Sequence, residues 1–128
     1  MSEYHEPEGE LSPEIRDAHR AITSLKEELE AVDWYNQRWA AASDPALRAV
    51  LAHNRDEEIE HASMLLEWLR RNMPKWDEKL RTYLFQEADI LALEAAADAA
   101  ETSQGGAAPA DAGSGSGDLG IGGARRKA

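Results

Sequence analysis

The sequence predicts an all-α protein: an antiparallel two-helix hairpin plus a short third helix, two copies pairing across a dimer interface into a four-helix bundle. Three observations carry this. Up to about Ala100 the chain uses a helical vocabulary of Leu, Ala, Glu and Arg, and from Ile15 to Val32 its apolar residues recur in steps of three and four. No segment alternates with the period of two that a strand requires. Two short motifs, Ser12-Pro13-Glu14 and Ser43-Asp44-Pro45, each set a capping side chain before a proline suited to the first helical position.

The first helix is expected to start at Pro13, capped by Ser12. Ile15 stands where a full capping box would need Glu or Gln, so the box is incomplete. Ile15, Ala18, Ile22, Leu25, Leu29 and Val32 then form an a/d seam, and the helix runs to about Ala42, a rod of roughly 45 Å. Asp44 is pushed out of the α region by the proline after it, which makes it the cap of a second helix that runs to about Asn72, where Pro74 stops it. The connection is short, so the two helices fold back on each other. A third helix is expected from about Pro74 to near residue 97. One hairpin covers only part of each apolar stripe, and a second copy is the simplest cover.

At 128 residues the chain holds one small domain. Its net charge of −11 argues against nucleic acid and for cations as partners. The absence of cysteine excludes disulfides and thiolate metal sites and fits a cytoplasmic location. The opening MSEYHEPEGELSPE reads as neither signal nor transit peptide, and no apolar run is long enough for a bilayer. Residues 1–11 are expected to be a flexible N-terminus and 12–100 the helical domain. Residues 101–117, ETSQGGAAPADAGSGSG, are expected to be a linker, and 118–128 a separate coda.

The stripe of the second helix reads Leu47, Val50 or Leu51, Asn54, Glu58, His61, Leu65, Trp68. Its ends are apolar and its middle is not. On the first helix Glu28 lies beside the seam, and Tyr35 is two turns further along the same side. Burying a carboxylate without a partner costs about several kcal/mol, and no Lys or Arg lies on these stripes near the three residues. A metal ion is the natural partner. A Glu from one helix and Glu-x-x-His from another make up half the ligand set of di-iron carboxylate bundles, so two chains must meet to complete a site. Glu28 and Glu58 from two copies bring four negative charges, which two divalent cations cancel. Carboxylates with one imidazole suit Fe(II), Mn(II) or Zn(II). Asp56, Glu57 and Glu60 fit an ordinary solvated face, and Trp34, Trp39, Trp68 and Trp76 fit packing. Glu27 and Glu30 fit plain solubility and a weaker outer cation site equally well.

The segments EELEAVDWYNQR, AHNRDEEIEHASMLLEWLRRN, RTYLF and GDLGIGGARRK together resemble the encapsulated ferritins, over about Ala18 to Phe85 plus the tail. The resemblance implies a ferritin-like half-bundle that dimerises to make a di-iron ferroxidase centre, with two Fe per dimer. The dimers form a ring-shaped decamer carried in the cytoplasm inside an encapsulin nanocompartment. It implies that Glu28, Glu58 and His61 are the iron ligands and the catalytic residues. Glu27 and Glu30 become secondary carboxylates that ions meet first, where Ca, Zn or Mn are also expected. Trp34 and Tyr35 become the aromatics beside the centre. Leu119, Gly120 and Ile121 become the peptide that binds the encapsulin shell protein, consistent with two apolar side chains stranded after a Gly/Ser linker. The expected activity is oxidation of Fe(II) by oxygen for iron storage and detoxification; the alternative is a metal-binding cargo with no catalysis. Neither nucleic acid nor membrane is an expected partner.

Overall fold

A computed structural model of the chain describes residues 4–105, and its described elements are all helical. A single 3₁₀ turn, Glu8–Glu10, comes before four α-helices: α1 (Pro13–Ala41), α2 (Pro45–Asn72), α3 (Pro74–Tyr83) and α4 (Ile90–Gly105). The chain divides into two units, Met1–Arg71 and Asn72–Ala128.

In the first unit both expected caps form. The Ser12 hydroxyl accepts from the Ile15 N–H at 3.2 Å, and the Asp44 carboxylate accepts from the Leu47 N–H at 2.8 Å. Each satisfies one of the donors that a helix start leaves without an internal partner. α1 and α2 run antiparallel. His61 meets Glu28, Arg55 meets Asn36 and Arg48 meets the Trp39 carbonyl, so the α2 partner moves down the chain as the α1 partner moves up. The N-terminal segment is partly tied down. The Tyr4 ring lies 4.4 Å from the His19 ring, and Arg16 Nε donates to the Leu11 carbonyl at 3.0 Å.

The buried apolar residues of this unit are few: Ala18, Ala21, Ala62 and Leu69. Ile22 and Leu29, placed in the seam by their spacing, are exposed. The buried positions of α1, Ala18 and Ala21, thus match the expected seam only at Ala18. On α2, Ala62 and Leu69 are buried, whereas Leu47, Val50 and Met64 stand in the open. The polar-centred stripe therefore borders an uncovered apolar face.

The second unit departs from expectation in two respects. A continuous third helix to residue 97 is replaced by α3 and α4, which pack on each other. α3 ends at its C-cap Leu84, whose N–H closes the last turn on Leu80 while its own backbone is extended, and Phe85 follows with a left-handed φ of 60°. Asp89 then caps α4 through the Ala92 N–H at 3.2 Å. α4 continues to Gly105, five residues into the stretch expected to be linker. The rest of the linker and the coda with Leu119, Gly120 and Ile121 lie outside the described residues.

Candidate metal centre

The long apolar-and-acidic helices bring three donors together in the middle of the hairpin. Glu28 comes from α1; Glu58 and His61 come from adjacent turns of α2, three residues apart and so on one side of the helix. Their donor atoms all lie within 4.8 Å of one another. Ligands of one ion stand at most about 4.4 Å apart, twice a typical ligand distance, so the cluster is only slightly wider than a coordination shell. His61 Nδ1 is 3.3 Å from Glu58 Oε2 and 3.6 Å from Glu28 Oε2. The glutamates are 26% and 23% exposed and the histidine 43%, shielded on the hairpin side and open on the other.

The electrostatics are those of donors kept together without their cation. A hydrogen bond between two carboxylates requires a shared proton. That bond to Glu58, reinforced by desolvation, raises the Glu28 pKa. The same bond, with help from His61, lowers that of Glu58. His61 is raised above the usual imidazole range, first by its hydrogen bond to Glu58 and then by the charge of Glu28, against the opposing effect of desolvation. Two carboxylates with one imidazole suit iron, manganese or zinc. Glu28, Glu58 and His61 fit such an ion as its holders.

The other sequence candidates are distributed differently. Glu27 and Glu30 are exposed and lie outside the donor cluster. Trp34 is half exposed, Tyr35 is half-buried, and the Arg38 guanidinium lies 6.0 Å and 5.3 Å from their ring centroids. Asp56, Glu57 and Glu60 remain outside the cluster, as a solvated face would have them. Trp39 is a packing residue, but an unusual one, held between the guanidinium groups of Arg48 and Arg55 at 5.0 Å and 5.1 Å. Sequence reasoning saw only that Arg55 was off the stripe; its contacts with α1 depend on helix register, which no local signal encodes.

A helical hairpin with a carboxylate on one arm and Glu-x-x-His on the other is the arrangement of a ferritin-like protein. The chain belongs to the EncFtn-like family, which it matches over residues 3–87. It is 61% identical over 118 residues to the encapsulated ferritin-like protein of Rhodospirillum rubrum, covering 92% of this chain and 84% of that one. It is 61% identical over 92 residues to a ferritin-like protein of Thermotoga maritima, covering 72% of this chain and 81% of that one. A crystal structure of a protein from Nitrosomonas europaea superposes with a TM-score of 0.67 at 62% identity, over 70% of this chain and 98% of that one. The chain is therefore an encapsulated ferritin, and an iron-related role follows from its family.

Proposed function

We propose that two copies of this chain complete a di-iron ferroxidase centre, each supplying Glu28, Glu58 and His61. The observation that carries this is the meeting of those donors at the border of an apolar face that stands exposed among the described residues. Two copies bring four carboxylates and two imidazoles, enough for two Fe(II) substrate ions with charge balance. Oxidation removes one electron from each iron, and dioxygen accepts them with protons from solvent. Glu27 and Glu30, exposed on α1, attract incoming cations toward the centre. Trp34 and Tyr35 flank it.

The test is oxygen uptake on addition of Fe(II) to the purified full chain. The wild type should consume oxygen well above a protein-free control. Glu28→Ala, Glu58→Ala and His61→Ala should each fall by at least about a hundredfold, since removing even an outer partner of a metal ligand costs 10- to 100-fold. Binding of Fe(II) without oxygen uptake would instead make the protein a non-catalytic metal carrier.

The name of the Rhodospirillum rubrum relative supports a shell as the partner. On this reading the pairs close into a ring-shaped decamer inside an encapsulin compartment, and Leu119, Gly120 and Ile121 dock on its inner wall. Several tails on one ring bind cooperatively, because the first to dock holds the rest at high effective concentration. Deleting residues 118–128 should leave Fe(II) oxidation unchanged and abolish co-purification with a co-expressed shell. Undiminished loading of the truncated chain would assign targeting to another segment.

A further inference from the structure

Arg55 stands three residues before Glu58 on α2, a spacing at which arginine and glutamate readily pair. The same helix closes arginine–glutamate pairs at spacings of three and four in the opposite order, glutamate first. Glu67 accepts from Arg70 Nε and Arg71 Nε, each at 2.6 Å, and is pulled down to about 2 by them. Arg55 takes another course. Its Nη1 donates to Asn36 Oδ1 at 3.1 Å, its Nε to Asp56 Oδ1 at 3.1 Å, and its guanidinium lies over the Trp39 ring. Asn36 and Trp39 belong to α1, and Trp39 is anchored in turn by Arg48, whose Nε donates to its carbonyl at 3.2 Å. With its side chain only 23% exposed, Arg55 is held where cation–π and hydrogen-bond contacts count for more than in open water. Glu58 meanwhile engages Glu28 and His61.

We infer that Asn36 and Trp39 form a holding site for the Arg55 cation, keeping it off Glu58 so that the carboxylates stay available to a metal ion. This rests on the metal-centre reading of Glu28, Glu58 and His61. An arginine on Glu58 would neutralise its charge and occupy its lone pairs, so a divalent ion would have to displace it. The short reach from Arg55 to Glu58 makes that competition a standing hazard of the sequence. The two α1 side chains remove it and tie the helices together one turn before the donors. Asn36 and Trp39 are positioning residues; neither touches the ion.

The experiment uses full-length Asn36→Ala, Trp39→Leu, Asn36→Asp and the double variant Asn36→Ala/Arg55→Gln. The readouts are metal-free crystal structures and Co(II) affinity by calorimetry. In Asn36→Ala or Trp39→Leu, Arg55 should swing to within about 4 Å of Glu58, and Co(II) affinity should fall roughly fivefold, the upper range for an exposed ion pair. Asn36→Asp, a stronger acceptor for the guanidinium, should keep Arg55 in place and preserve affinity. The double variant should return to wild-type affinity, which a purely structural role for Asn36 would not allow. An unmoved Arg55 in both single variants, or a double variant no tighter than Asn36→Ala, overturns the inference. Equal Co(II) binding by wild type and Glu58→Ala would overturn the metal centre itself, and the metal-free structures would still decide where Arg55 goes.

Discussion

His61 and Glu28 both hold a proton to higher pH than the free side chains would, and a metal ion competes with those protons. The folded pKa of His61 is raised by Glu58 and Glu28, so the imidazole stays charged to higher pH than a free histidine, and an ion needs its neutral lone pair. Metal affinity should therefore fall as pH drops through the raised His61 value and level off above it. Calorimetric titration of Co(II) in two buffers of different ionisation enthalpy should show more protons released per ion at about pH 6 than at about pH 8. A His61→Ala chain that releases as many protons per ion as the wild type at both pH values would mean that His61 is not a ligand. These donors were legible in the sequence because Glu58 and His61 sit where the periodicity asks for apolar residues, with Glu28 beside the seam of the other helix. Arg55 breaks none. Its surroundings, Asn36 and Trp39, become visible only once the register of α1 against α2 is fixed.

Helix starts were equally legible and helix ends less so. Ser12 and Asp44 combine a short acceptor with a following proline, two local signals that agree, and both form the bonds expected of them. Asp44→Ala should cost about 1 kcal/mol, read as a lower urea midpoint with unchanged slope, while the neighbouring Ser43→Ala should stay within about 0.5 kcal/mol. Equal losses in the two would show that the Asp44 cap contributes nothing. The break between α3 and α4 had no comparable advance notice. The chain leaves the helix at Leu84, whose backbone is extended, and turns at Phe85, a residue type that seldom takes a left-handed backbone, with neither glycine nor proline at the stop. The Asp89 cap of α4 was in the sequence, but without a recognised end to α3 it read as one more acidic residue in a long helix.

For the whole molecule the balance of surface decides the outcome. A hairpin whose buried apolar residues are three alanines and a leucine has little core, while Ile22, Leu29, Leu47, Val50, Ile59 and Met64 face water. Isolated apolar residues on a surface are ordinary, but Leu47, Val50 and Met64 follow one side of α2 that also carries His61. Covering that side with a second copy would bury the apolar residues and double the donor set in the same step. Association and metal binding then share one equilibrium: an ion that binds only the paired state stabilises pairing by mass action. Sedimentation across a dilution series should accordingly show the dimer persisting to lower protein concentration with Co(II) than with chelator. Oxygen uptake per chain should rise over the same concentration range. Val50→Glu, which touches none of the three donors, should shift both curves to higher concentration together, because it acts only by charging the face. A Val50→Glu chain that sediments as a monomer yet oxidises Fe(II) at the wild-type rate would mean that each hairpin works alone. That outcome would leave the exposed stripe of α2 without a catalytic purpose.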